Sequence, residues 1–489
     1  MRRGNIPRAG WLIAWLVIFG GEATAAPVPL IDAIKSADKA AIRLLLQKRV
    51  DVNAAEPDGA TALHWAARTN DVQTADMLIR AGANIKAANR YGITPLYLAC
   101  TAGNAALIDM LLKAGADPNT ALSEGETALM TAARSGTIDG VNLLLARGAD
   151  INRKETWRGQ TALMWAAGEG HVDVIRALLA HGADVHARSN GGFTPLLFAV
   201  REGKIAAVKT FLEAGADLKE SLPARRRGAT PAPETPPEPE AGINAFMLAV
   251  GNVHYELAAF LLEKGADPNS APQGFTALHQ ISWLRRPGSG DNNPAPQGSG
   301  EMDSLAFVRT LVARGANVNA RATKQANMGV TIRFHSIGAT PLLLAARTAD
   351  VQLMRLLLEL GADPLLPNED GTTPLLAAAG VGTNSPLEEP GTEPEVMEAV
   401  KLVLERGGDI NTVDKNGNTA MHGAAHKHVP SAIRFLAEKG AKIQTWNQPN
   451  SEKQTPLQIA EGVLVGMNLV THAPTAAAIR EVMSANKSN

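Results

Sequence analysis

Residues 159–184 read Gly159-Gln-Thr-Ala-Leu-Met-Trp-Ala-Ala-Gly-Glu-Gly-His-Val-Asp-Val-Ile-Arg-Ala-Leu-Leu-Ala-His-Gly-Ala-Asp184. The opening line of this stretch returns, with changes, from Gly59, Gly92, Gly125, Gly192, Gly242, Gly274, Gly338, Gly371 and Gly417. Its closing line, Gly-Ala-Asp or Gly-Ala-Asn, returns at Gly82, Gly115, Gly148 and Gly215. The glycines at 82, 115, 148, 182 and 215 are 33, 33, 34 and 33 residues apart. A fixed period of that length marks repeated supersecondary units. One unit cannot bury its apolar face alone, so the units must stack.

The residues within one period name its parts. Thr61, Thr94, Thr127 and Thr161 each open a helix, because a hydroxyl can satisfy a free backbone N–H there. Pro95, Pro195, Pro341 and Pro374 follow such threonines, where a missing N–H costs nothing. The pairs Ala66-Ala67, Ala132-Ala133, Ala166-Ala167 and Ala345-Ala346 are small enough for neighbouring helices to approach closely. Leu111-Leu112, Leu144-Leu145 and Leu178-Leu179 supply the apolar stripe of a second helix. The glycine of Gly-Ala-Asp ends that helix in a left-handed conformation that glycine adopts without strain. The Asp or Asn that follows suits a turn. Each unit is therefore helix, tight turn, helix and projecting β-turn.

Thr-Pro-Leu-His-x-Ala-Ala followed by Gly-Ala-Asp-x-Asn resembles the pattern of the ankyrin-repeat family. The resemblance runs from about residue 30 to about residue 483. It implies an all-α ankyrin-repeat solenoid of about twelve helix-turn-helix units with projecting β-turns. The first unit lacks the Gly-x-Thr line and the last lacks Gly-Ala-Asp, as expected of caps whose outer faces meet water.

The chain has 489 residues, 45% hydrophobic and only 4% aromatic, which fits a core of Ala and Leu. Arg2, Arg3 and Arg8 precede an unbroken apolar run, Trp11 to Phe19, and then Ala23-Thr24-Ala25. That is the layout of a cleaved secretory signal peptide, residues 1–26, and the run is short for a membrane span. Localisation is therefore expected to be periplasmic or secreted, with no membrane attachment after cleavage. Cys100, the single cysteine, cannot close an internal disulfide. The formal net charge of −1 gives no basic footprint for nucleic acid.

The expected organisation is repeats over 27–220, a Pro-rich insertion over 221–240, and repeats over 241–486. The second block is interrupted at about 287–300, 321–337 and 380–394. Val330-Thr-Ile-Arg-Phe334 in the third insertion could be a short strand. The repeat is expected to continue past the Pro-rich insertion.

Phosphate-loop, nucleophile-elbow, His-Glu-x-x-His and Cys-x-x-Cys motifs are absent from the sequence. No cofactor and no catalysis are expected. One cluster competes with that reading. His422, His426 and His428 could share a metal ion, as a carrier or a metal-dependent enzyme would use them. Against it, His422 occupies the His column of the repeat, with His64 and His279, and should bond to neighbouring turns.

The resemblance implies instead a concave binding face made of β-turn tips and first helices. Its tip column contributes Arg90, Tyr91, Trp157, Arg158, Asn190 and Asp370. Ile93, Gln160, Phe193 and Phe275 follow the leading glycines. Arg68, Arg134, Arg201 and Trp283 follow the small pairs. Tyr, Trp and Arg are the types in which binding energy concentrates. Tyr91, Trp157, Arg158, Phe193 and Arg201 lie on consecutive units, where one strip is expected. The expected role is an exported, non-catalytic scaffold for a protein partner. A secreted effector acting on a host protein is the alternative.

Overall fold

A computed structural model describes residues 28–223, 242–286, 297–326, 334–383, 390–465 and 468–485. The expected signal peptide, nearly all of the Pro-rich insertion and the proposed strand up to residue 333 lie outside these residues.

The chain divides into two compact units, up to Ala149 and from Asp150. The first holds four helix pairs: α1 (Pro29–Lys35) with α2 (Lys39–Gln47), α3 (Ala62–Arg68) with α4 (Val72–Arg80), α5 (Pro95–Thr101) with α6 (Ala105–Lys113), and α7 (Ala128–Ser135) with α8 (Ile138–Ala146). The second opens with α9 (Ala162–Glu169) and α10 (Val172–Ala180), α11 (Pro195–Arg201) and α12 (Ile205–Glu213), and α13 (Ala245–Gly251) and α14 (Tyr255–Glu263). It continues with α15 (Ala277–Leu284) and α16 (Ser304–Ala313), α17 (Pro341–Arg347) and α18 (Val351–Glu359), and α19 (Pro374–Ala379) and α20 (Glu393–Glu405). It closes with α21 (Ala420–His426) and α22 (Pro430–Glu438), the single turn α23 (Ile443–Trp446), and α24 (Pro456–Glu461) with α25 (Ala473–Ala485). Between α24 and α25, β1 (Val463–Val465) and β2 (Asn468–Val470) pair antiparallel, Val463 opposite Val470. This hairpin, unforeseen in the sequence, is the one departure from an all-α architecture among the described residues.

The local signals act as expected. Thr94 Oγ1 accepts from the Tyr97 N–H at 3.2 Å, and Thr127 and Thr161 do the same at Met130 and Met164. The helix-ending Gly82 and Gly115 have φ of +89° and +99°. The Asn of Gly-Ala-Asp-x-Asn has a further task. Asn319 Nδ2 donates to the Gly361 carbonyl at 3.2 Å, and its Oδ1 accepts the Asp363 N–H at 2.8 Å. One amide thus hooks the end of one helix pair to the end of the next. Asn53 with Gly82 and Asn84, and Asn411 with Gly440 and Lys442, repeat the arrangement.

The helices are held together by small apolar contacts. Both members of each quoted Ala pair are buried, and Leu111, Leu144 and Leu178 are 0% exposed. The second leucine of a pair is less covered: Leu145 and Leu179 are half-buried. α13 packs against α11, and the Leu222 N–H bonds the Ile243 carbonyl at 2.8 Å, so the repeat resumes directly beyond the Pro-rich insertion. The described limbs of the third insertion are tied together. Gln325 bonds the Phe334 carbonyl and the Ser336 N–H, and Ser336 Oγ accepts from the Ala326 N–H at 2.6 Å.

Candidate partner-binding face

In the second unit the tip carrying Trp157 and Arg158 is fixed by a buried carboxylate. Glu155, 6% exposed, accepts the N–H groups of Trp157, Arg158 and Gln160 at 2.6–2.9 Å. Three donors on one carboxylate hold the turn before any partner arrives. The turn displays Trp157, 67% exposed, with the Arg158 guanidinium 4.1 Å from its ring centroid. The neighbouring tip locks on: the Asn190 N–H bonds the Arg158 carbonyl at 2.7 Å, and Asn190 Nδ2 bonds the Trp157 carbonyl at 3.1 Å. On that same repeat Arg201 lies over Phe193 and Phe198, at 5.2 and 4.9 Å from their ring centroids. Trp157, Arg158, Phe193 and Arg201 therefore occupy adjoining repeats, whereas Tyr91, expected in the same run of consecutive units, is separated from Trp157 by the repeat that opens at Gly125. Gln160 is half-buried behind them.

In the first unit Tyr91 is 55% exposed under the Arg90 guanidinium, 4.7 Å away. Asn89 Oδ1 holds this tip by accepting the N–H groups of Tyr91 and Ile93, each at 3.0 Å. Ile93 is half-buried, and its carbonyl accepts from His64 Nε2. Arg68 lies 5.0 Å from the Trp65 ring and Arg134 faces Glu126 at 3.6 Å.

One expected site residue needs correction, and a second is partly covered. Phe275 is only 7% exposed and packs in a cluster with Ala322 and Ala326, the start of the third insertion. Trp283 is half-buried against the same cluster, edge-on to Phe275 at 5.1 Å. The insertion covers these rings, so they support the fold locally and Phe275 offers no surface. Conversely, the column of Trp65, Trp165 and Phe198 escaped the reading. Trp65 is half-buried, donates to Glu56 Oε2 at 2.6 Å and lies under Lys35 at 4.2 Å. The column directly precedes the Ala pair; Trp65 and Trp165 are half-buried there, while Phe198 is only 5% exposed and belongs to the core.

The histidine cluster is occupied by its own fold. His422 Nδ1 accepts the N–H and O–H of Thr419, and Nε2 donates to the Gln448 carbonyl at 3.0 Å. His428 instead stacks on His472, ring centroids 4.7 Å apart. Among the described residues no three His, Cys, Asp or Glu side chains are placed to hold a metal ion. Burial pushes the Cys100 thiol up to about 12, far from a reactive thiolate.

The same burial makes the His column sensitive to acid. Desolvation lowers His279 and His422 from 6.5 to about 4, and lowers His64 as well. The unfolded chain therefore takes up protons first as pH falls. Stability is complete above about pH 6.5. It should decline toward pH 4.5 by about 1.4 kcal/mol per pH unit for each fully buried imidazole. Urea unfolding at pH 7, 5.5 and 4.5 checks this. An unchanged midpoint would contradict the buried, neutral histidines.

No described helix is long and apolar enough to cross a membrane. The sequence profile described as ankyrin repeats (3 copies) matches residues 12–89, 30–121, 82–155, 129–221 and 394–463. The single ankyrin repeat profile matches residues 337–369. Together these matches take in more than half of the sequence. The chain is an ankyrin-repeat protein.

Similar curated proteins carry the repeat within much larger chains. Protein lin-12 of Caenorhabditis elegans is 28% identical over 212 residues, 43% of this chain and 12% of that protein. The human transient receptor potential cation channel subfamily A member 1 is 30% identical over 144 residues, 29% of this chain and 12% of the channel. Human neurogenic locus notch homolog protein 1 is 33% identical over 210 residues, 39% of this chain and 7% of that protein. This ankyrin-repeat chain thus spans about a tenth of the length of these relatives. Among solved structures, the human ASB11 ankyrin repeat domain is similar, with 26% identity and a TM-score of 0.42. That match covers 50% of this chain and 100% of the domain. Ankyrin repeats generally mediate protein–protein interaction, and proteins built from them are typically non-catalytic scaffolds.

Proposed function

We propose that this ankyrin-repeat protein is an exported, non-catalytic scaffold that captures a protein partner with its β-turn tips and first helices. The observation that carries the reading is the Trp157–Arg158 tip. A tryptophan two-thirds exposed, stacked with an arginine, stands on a turn already ordered by Glu155. Large rigid side chains on a fixed backbone lose little entropy on docking, which is what interface anchors require. Phe193 and Arg201 extend this patch on the next repeat, and Arg90 with Tyr91 form a comparable pair in the first unit. Arg68, Arg134, Ile93 and Gln160 border these anchors; Phe275 is excluded by its burial. Export rests on the signal-peptide layout of residues 1–26, and places the partner in the periplasm or outside the cell.

The test is affinity capture from a periplasmic extract and from culture medium, using wild-type protein and a Trp157→Ala/Arg158→Ala variant. The variant should hold the captured protein about 10- to 100-fold more weakly, the range of interface anchors. Its thermal unfolding should barely move, because both side chains point to solvent. Equal capture by both proteins would remove this tip from the interface.

A further inference from the structure

Arginines stand over aromatic rings in the tips and first helices of both units. In the second unit the Arg158 guanidinium carbon lies 4.1 Å from the Trp157 ring centroid. In the first, Arg90 lies 4.7 Å from the Tyr91 ring and Arg68 lies 5.0 Å from the Trp65 ring. None of these three arginines is paired with a carboxylate among the described residues, and the Arg158 guanidinium makes no hydrogen bond there. The second helices of the second unit do the opposite. Arg309 meets Glu359 at 3.4 Å, and Arg355 meets Glu398 and Arg434 meets Glu481, each at 2.9 Å.

The acids around the Trp157 tip do not supply the missing counter-charge. Glu155 is buried and uses both oxygens on the N–H groups of Trp157, Arg158 and Gln160. Glu220, 7% exposed, accepts the Thr194 hydroxyl and lies 3.1 Å from His186. Asp184 and Glu169 are exposed, but at the start of the next loop and at the end of α9. Cations gather on the tips instead. Lys154 donates to the Arg188 carbonyl at 2.8 Å, and Arg188 donates to the Gly192 and Ser221 carbonyls at 2.9 and 3.2 Å. Neutral carbonyls hold these two exposed side chains in place and leave their charge uncancelled. Arg201 differs: it meets Glu202 at 2.7 Å and adds little.

An arginine can use its face and its edge at once. The face stacks on a ring, while the N–H fork at the edge matches the two oxygens of a carboxylate. At Arg158 the face is taken and the edge is open. Trp157, 67% exposed, leaves ring area beside it for an apolar side chain. A nucleic acid would call for a broad basic footprint, which a chain of net charge −1 lacks. We propose that this patch receives an acidic segment of the partner protein, with a carboxylate on the Arg158 fork and an apolar side chain on the Trp157 ring. Lys154 and Arg188 supply the positive field around it. The inference rests on the scaffold reading above and names the chemistry of the segment that the tip takes.

Isothermal titration of the full chain tests this. The acidic probe is Gly-Asp-Glu-Leu-Asp-Glu-Leu-Gly, the basic one Gly-Lys-Lys-Leu-Lys-Lys-Leu-Gly, and a short thymidylate strand serves as the phosphate probe. The acidic peptide should saturate, bind about tenfold or more tighter than the other two, and weaken as salt rises. Arg158→Gln should reduce that affinity about tenfold. Its melting temperature should not change, because Glu155 and Asn190 hold the tip through its backbone. Arg158→Lys keeps the charge and loses the fork, so its affinity should fall between the two. An acidic peptide that fails to saturate or binds no tighter than the basic one, undiminished affinity of Arg158→Gln, or tighter binding of the thymidylate strand would overturn the proposal. The scaffold reading fails separately. Loss of the captured protein by Trp157→Ala/Arg158→Ala, with no preference for the acidic peptide, would keep the tip as an interface and remove the acidic segment.

Discussion

Asp350→Ala is expected to lower the unfolding free energy by about 3–5 kcal/mol, the usual cost of removing one partner from a buried ion pair. Asp350 caps α18 by accepting the Leu353 N–H at 3.2 Å, and its side chain is 0% exposed. It also receives a two-pronged bond from Arg285, Nε to Oδ2 at 2.6 Å and Nη2 to Oδ1 at 3.1 Å. Arg285 is itself only 16% exposed, and its Nη1 reaches Ser304 Oγ at 2.6 Å. The pair therefore joins the end of α15, the start of α16 and the start of α18. The first two are the points where the second insertion leaves and rejoins the repeat, and the third belongs to the next helix pair. Without Asp350, a guanidinium stays in a place water scarcely reaches. Replacing both charges together, Arg285→Met with Asp350→Leu, should be much milder, because no unpaired charge remains. Urea unfolding of the two variants beside the wild type separates the effects. A loss below about 1 kcal/mol for Asp350→Ala would mean the pair is solvated and the insertion is not anchored there.

Leu144→Ala is expected to cost about 2–5 kcal/mol. Leu144 is 0% exposed in α8, which packs on α6 and α7. The repeats are thin, so the cavity cannot be filled by rearranging a deep core. Each repeat also depends on its neighbours, so the loss should spread through adjoining helix pairs of the first unit rather than stay in α8. Hydrogen exchange of α6 and α7 should accelerate with that of α8. A midpoint shift equivalent to much less than about 2 kcal/mol would mean that α8 does not lean on its neighbours as described.

The sequence disclosed what recurs. Thr caps, Ala pairs, left-handed glycines and the His column lie within one period, and each works through neighbours fewer than about five residues away or one repeat away. His64 bonding the Ile93 carbonyl and Asn53 bonding Gly82 are single-repeat contacts, so the period itself announces them. The unreadable features break the period. Phe275 is an exposed-type position by its column, yet Ala322 and Ala326 cover it, from an insertion about 50 residues later whose path no repeat pattern encodes. Glu155 reads as one acidic residue in a turn, and its role appears only when three N–H groups converge on it. A cleft at Asp370 is assembled from the third and fourth insertions and the last tips, with Phe334 seated over Gly382. Its residues stand far apart in the chain, and the closeness of Phe334 to Gly382 depends on how two irregular segments fold.

Hydrogen exchange of the chain with and without its captured protein bears most directly on the proposal that the tips form the working surface. Slowed exchange at residues 153–160 and 188–201, with α10 and α12 unchanged, is the predicted result. Slowing confined to the second helices α10 and α12, with those tips exchanging as freely as before, would contradict it.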